Sequence, residues 1–510
     1  MLRAAVILVT LLEPAASHEG HRCPLDGGIP PEVPNHSPQQ YIISEHEPGT
    51  EEHRRELHST WQGDAAFSPI RIQLRFDDMT ELTSSEQNFL QNTLMPAAAA
   101  WAEGALAVRP VASNLLVERY CPSTWGGTGV CYSTASPETC GATGDTSAVT
   151  VPDELLAETR VCTACYGSTC EDPGSTCSTL SAGAGTAHDF VLFVSAVTSN
   201  ICGGGTIAYA VTCKRDQYDR PIMGHANFCP NLLSEAEADY PKQLSTAIHE
   251  LVHALGFASG SWSLFRFDDG ITPRTPREAD GWPALTSSFS CPTGLVSEQF
   301  VPNSNTLVTS TERGVSVTRI VTPRVASIAQ DMFGCSTLPG AELENQPTGA
   351  NACWGSHWEQ RMHKNDLMGA VSSTSAVRSP LILALLEDTG WYRANYSYAE
   401  PQRWGRASDG TPIGCSFSTS KCLISETPID PAHFCDDGAA VGCAPPGPPA
   451  AHGAPSSPLS RHSNGRYARH DTSRILQQGH LRLGAAGRDA VLFRDYARRR
   501  SADDRLLPLL

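Results

Sequence analysis

The run Pro241-Lys-Gln-Leu-Ser-Thr-Ala-Ile-His-Glu-Leu-Val-His-Ala-Leu-Gly256 constrains this chain more than any other stretch. Its apolar residues fall at Leu244, Ala247, Ile248, Leu251, Val252 and Leu255, the i, i+3/i+4, i+7 spacing of a helix with one buried face. Pro241 suits a first helical turn, and Gly256 suits the position just past the last. On such a helix His249 and His253 lie one turn apart, about 6 Å along the axis, and share a face. Two imidazoles so placed can take one metal ion. Glu250, beside the first, stands where a zinc hydrolase needs a base for its metal-bound water. A third ligand decides whether the pair is a working site.

In the compact metzincin arrangement a glycine three residues past the second histidine turns the chain, and a histidine three residues later completes the site. Gly256 is the turn glycine here, but the ligand position is Ser259, and serine is a poor zinc ligand. Residues 254–356 contain no histidine. His357 then appears in Trp354-Gly-Ser-His-Trp-Glu359, with His363 shortly after it. Both are candidate third ligands. Leu367-Met368-Gly369 offers the methionine turn that floors such sites.

His-Glu-x-x-His-Ala-Leu-Gly-Phe, a long insertion, Gly-Ser-His-Trp-Glu and a methionine turn together resemble the leishmanolysin family of zinc metallopeptidases, within the metzincin clan. Phe333–Gln346, Glu387-Asp-Thr-Gly-Trp-Tyr392 and Ala208-Tyr-Ala-Val-Thr-Cys213 are similar to that family as well. The resemblance covers roughly residues 18–425. It implies a secreted or cell-surface zinc endopeptidase with one Zn2+ per chain, bound by His249, His253 and His357. It also implies Glu250 as general base and Met368 beneath the metal. The neighbouring motif and the spacing to Met368 favour His357 over His363. Three neutral imidazoles leave a fourth zinc position for water, whose pKa zinc lowers to about 7. Glu250 then takes the proton as the water attacks a peptide carbonyl, and later passes one to the leaving amine.

The first 17 residues have a basic start at Arg3, an apolar run Ala4–Leu12 and small residues at Ala15-Ala-Ser17, the pattern of a signal peptide. The apolar run is too short to span a bilayer. With that context, the 18 cysteines read as a disulfide framework. Cys162-Thr-Ala-Cys165 would be a redox or zinc motif in a cytosolic protein. Asn35-His-Ser37 and Asn395-Tyr-Ser397 are glycosylation sequons. A net charge of −17 argues against nucleic acid as a partner. The expected partner is a peptide or protein substrate, with cell-surface association implied by the resemblance and no transmembrane helix.

The chain's 510 residues, 40% of them hydrophobic, allow two or three domains. Residues 18–66 are polar and proline-rich, and His21-Arg-Cys23 resembles the family's propeptide motif. Cys23 is therefore a candidate cysteine switch, because a thiolate can fill the open zinc position. An ordinary disulfide cysteine is the alternative. Residues 67–257 form an expected N-terminal catalytic subdomain. Ser68–Phe76, Asp189–Val197 and Thr206–Val211 read as strands, and Ser84–Ala107 as a helix interrupted near Pro96. A substrate strand is expected to add to a sheet edge between Ile207 and Cys229. Residues 121–186 hold seven cysteines and little periodicity, and read as a stapled surface insertion. Residues 258–350 read as an inserted folded module with a strand at Val315–Val321, and 351–443 as the part carrying the third ligand and methionine turn. Leu381–Glu387 reads as a helix. Residues 444–510 have no cysteine and a disordered composition. The fold class is α+β: a metzincin-like catalytic domain with a twisted sheet and an active-site helix, plus the inserted module and disulfide-rich segments. Two other functions compete: an inactive relative acting in adhesion or binding, and a zinc hydrolase of non-peptide substrates.

Overall fold

The computed structural model describes residues 66–434 except 126–129, 143, 204, 280, 292–295, 345–352, 374, 425–426 and 431–432. The expected signal peptide, Cys23, Asn35 and the 444–510 tail lie outside the described residues.

The centre of the molecule is a four-stranded sheet in the order Ala208–Arg215, Pro221–Phe228, Phe190–Ser195, Ile72–Phe76. Three strands run parallel, and Ala208–Arg215 closes one edge antiparallel to Pro221–Phe228. The two inner strands are buried along their whole length. Sequence alternation shows how. Phe190, Leu192 and Val194 point into the large core that also holds Leu251 and Val252 of the Tyr240–Ala254 helix. Val191 and Phe193 point the other way, into a second core with Leu115, Val149, Val151 and Leu156. A sheet covered on both faces needs apolar residues at successive positions, which is why residues 190–194 read as a continuous apolar run.

The cysteine-rich segment therefore does more than decorate the surface: it covers the sheet face opposite the Tyr240–Ala254 helix. Cys121–Cys131, Cys162–Cys177 and Cys165–Cys170 staple it internally, and Cys140–Cys213 ties it to the edge strand. Lys214 adds an ion pair to Glu138 at 2.6 Å. Cys162 and Cys165 thus belong to two separate disulfides, not to one redox or zinc motif. Cys202–Cys229, Cys291–Cys353 and Cys335–Cys415 complete the set among the described residues.

On the helical side Thr83 and Glu86 form a capping box at the start of Ser84–Phe89. A π turn, Leu90–Leu94, follows and leads into Met95–Ala105. The chain stays helical past Pro96 because the proline falls in the first turn of the new helix, where its missing N–H costs little. The Tyr240–Ala254 helix crosses the sheet where Gly224 allows close approach. A Cβ on Gly224 would stand 3.0 Å from the Ala254 Cβ and 2.8 Å from the Val211 carbonyl oxygen.

The stretch after Gly256 is folded. Leu307–Glu312, Val315–Ile320 and Ala341–Glu342 form a three-stranded sheet, and Leu285–Ser290 pairs with Val296–Phe300. Helix Pro323–Phe333 ends at Gly334 in the left-handed region and packs on helix Pro380–Asp388. Arg324 joins the helices, reaching Asp268 at 2.8 Å and Asp388 at 3.0 Å. Leu343, Trp358, Met368 and Leu381 belong to the same large core as the Tyr240–Ala254 helix. Among the described residues no helix is long and apolar enough to cross a membrane.

Candidate metal centre

The Tyr240–Ala254 helix is buried all round from Thr246 onward, more completely than a one-faced pattern implies. The sheet covers one side, and the Leu367–Met368 turn meets another. His249 directs Nδ1 at the Leu367 carbonyl oxygen, 2.6 Å away. The helix ends at Leu255, and Gly256 takes φ +117, where a Cβ would strike the Trp391 ring at 2.7 Å. That turn brings the Phe257 carbonyl oxygen to 2.5 Å from His253 Nδ1. The turn glycine thus orients the second imidazole as well as reversing the chain.

His357 reaches the same place from the far end of the insertion. Leu343 pairs with Trp358, and Trp358 N–H donates to the Met368 carbonyl at 2.9 Å. The third histidine is therefore carried between the segment after Ala341–Glu342 and the methionine turn. His357 Nδ1 lies 2.7 Å from Glu344 Oε1. Ser259, at the compact ligand position, donates its N–H to the Ser356 hydroxyl at 3.0 Å and so helps seat His357.

With Nδ1 of each ring turned outward to an acceptor, the three Nε2 atoms face inward. His253 Nε2 stands 2.9 Å from His249 Nε2 and 3.3 Å from His357 Nε2. One ligand atom from each of the three lies within 4.8 Å of the others. Zn–N bonds of 2.0–2.1 Å in tetrahedral geometry ask for nitrogens about 3.3 Å apart. The His249 and His357 rings are nearly parallel, at 22°, and His253 stands edge-on to both. The donor set and its separations fit a zinc ion.

Glu250 is fully buried beside the triad. Burial pushes its carboxyl up to about 7, and His249 and His357 draw it back. Met368 is buried, with its N–H on Asp366 Oδ1 at 3.0 Å, which fixes the turn. His363 does not join the cluster. It lies in an apolar pocket against Trp358 and Phe333, and neither ring nitrogen has a hydrogen-bond partner among the described residues. Burial, with Arg319 adding to it, lowers its pKa to about 3. Glu344 escaped sequence reading, although it lies inside Phe333–Gln346. Its signal is an acid directly after the buried Ala341–Leu343 run.

An α+β protein with two histidines on one helix turn, a third from a distant segment and a buried glutamate between them has the design of a metallopeptidase. The sequence model described as Leishmanolysin matches residues 145–445. The chain is 36% identical over 395 residues to a leishmanolysin-like peptidase of Caenorhabditis elegans, covering 73% of this chain and 55% of that protein. It is 37% identical over 368 residues to the leishmanolysin-like peptidase of Drosophila melanogaster, covering 70% and 51%. Leishmanolysin of Leishmania chagasi is 30% identical over 252 residues, covering 49% of this chain and 33% of that protein. The chain belongs to the leishmanolysin family of metallopeptidases. It spans about half the length of the two animal relatives.

Proposed function

We propose that this protein is a zinc-dependent endopeptidase. The observation that carries the proposal is the convergence of His249, His253 and His357 at zinc-ligand separations next to the buried Glu250. His249, His253 and His357 would hold the ion through Nε2, each ring fixed from behind at Nδ1. When bound, zinc supplies Lewis-acid polarisation of the scissile carbonyl and a water acidic enough to attack near neutral pH. Glu250 takes the proton of the attacking water and delivers it to the leaving amine. Met368, which is buried, would form an apolar floor under the ligands. The edge strand Ala208–Arg215 is where an extended peptide would add, in keeping with the expected edge between Ile207 and Cys229.

Secretion, latency and glycosylation belong to the same proposal. The disulfides are compatible with an oxidising compartment. Cys23 would hold the precursor latent by occupying the ligand position meant for water. Asn395 would carry a glycan; its Oδ1 already accepts from the Ser397 hydroxyl at 2.7 Å. Glu250→Gln tests the enzymatic reading. The variant should keep one zinc per chain and lose casein hydrolysis by on the order of 10²–10⁴-fold, the usual worth of a general base. Phenanthroline should abolish wild-type turnover. Undiminished hydrolysis by Glu250→Gln would sink the assignment.

A further inference from the structure

The ligand imidazoles are held at Nδ1 by unlike partners. His249 and His253 direct Nδ1 to the neutral carbonyls of Leu367 and Phe257. His357 directs it to a carboxylate, Glu344 Oε1. That oxygen also accepts the Ser356 N–H at 3.1 Å, and the Glu344 N–H donates to the His357 carbonyl at 3.0 Å. Glu344 is buried, its side chain 8% exposed. Gly355 clears its path: a Cβ there would fall 2.2 Å from Glu344 Cγ and 2.8 Å from Oε1. The Gly-Ser-His run therefore has a physical reason for each of its first two residues, the glycine making room for the carboxylate and the serine hydroxyl accepting the Ser259 N–H.

The need for such a hold follows from where the ligands come from. His249 and His253 are set by one rigid helix. His357 lies 104 positions from His253, on a segment outside any helix or long strand. Glu344 lies two residues past strand Ala341–Glu342, so it links the third ligand to a sheet. An acceptor at Nδ1 keeps the proton there and leaves the Nε2 lone pair for a metal. An anionic acceptor raises the donor strength of that lone pair further. We infer that Glu344 is a positioning residue of the metal centre, fixing His357 in the Nδ1–H tautomer and strengthening its Nε2 as the third ligand. The inference rests on the zinc reading above.

The test is the zinc dissociation constant, by competition with a chromogenic chelator, for the full chain and for Glu344→Ala, Glu344→Gln, His357→Ala and the Glu344→Ala/His357→Ala pair. Circular dichroism of the zinc-free forms checks folding. Glu344→Ala should weaken zinc binding about 10–100-fold. Glu344→Gln, whose amide oxygen still accepts from Nδ1, should lose less. In the His357→Ala background, Glu344→Ala should change nothing further, because it acts through that ring. If Glu344→Ala does not fold, Glu344→Gln decides by a measurable loss. Wild-type affinity in the folded Glu344 variants, or an equal loss with and without His357, overturns the inference. A wild-type chain that binds no zinc overturns the zinc reading itself, so the two failures are distinguishable.

Discussion

His357 and His363 stand in one short run of chain, yet Trp358 separates two unlike environments. On one side His357 has a carboxylate at Nδ1 and two imidazoles near Nε2. On the other, His363 packs on Trp358 and Phe333, with no hydrogen-bond partner at either nitrogen among the described residues. Both side chains are buried. Burial alone therefore does not make a ligand. A histidine becomes one when a partner fixes its tautomer and other donors share its open nitrogen.

The largest effect that could break this comparison is on turnover. His357→Ala should lower peptide hydrolysis by on the order of 10³-fold or more, since nucleophile generation and oxyanion stabilisation are lost together. His363→Phe should hydrolyse at close to the wild-type rate. Comparable losses in the two would show that the division at Trp358 is wrong. A smaller effect is expected at Gly355. Gly355→Ala removes no polar group, but its Cβ would collide with Glu344, so zinc affinity should fall about tenfold, at the low end of the range for losing the hydrogen-bond partner of a ligating histidine. Unchanged affinity would mean that Glu344 can move aside without cost.

The smallest effect concerns acid stability. His363 has a folded-state pKa near 3 against an ordinary 6.5. Between those values the unfolded chain binds a proton that the folded chain refuses, so stability falls as pH drops from about 6.5 towards 3. His363→Phe, of similar size and shape, should cost under about 1.5 kcal/mol at pH 7. Its melting temperature should decline less steeply on acidification, with both proteins stripped of zinc by a chelator. Parallel acid slopes would remove His363 as a source of the acid sensitivity.

Much of this was legible from residues. The helix before Gly256 and the edge strand follow from local pattern, because helical spacing and turn chemistry act over a few neighbours, whereas His357 was picked out by the histidine-free stretch before it and by the family resemblance. The neighbouring motif and the spacing to Met368 favoured His357 over His363, but the physical difference between the two is not local. Glu344, which sets them apart, becomes a neighbour of His357 only when Leu343 pairs with Trp358. Pro221–Phe228 lacked a strand signature because Gly224 and His225 interrupt its apolar residues. Each is explained by tertiary context: Gly224 by the passing Tyr240–Ala254 helix, and His225 by the Ser195 hydroxyl at 2.8 Å. The cover given by the cysteine-rich segment was hidden for another reason. Its few apolar residues follow no period, and Cys140–Cys213, which ties it to the edge strand, has no local signal.

The central claim is that His249, His253 and His357 form one zinc site and His363 does not belong to it. Zinc per chain, measured by elemental analysis on purified wild type, His357→Ala and His363→Phe after dialysis, tests it most directly. One ion in wild type and in His363→Phe, with loss in His357→Ala, is the predicted result. Retention in His357→Ala, loss in a folded His363→Phe, or a zinc-free wild type would contradict it.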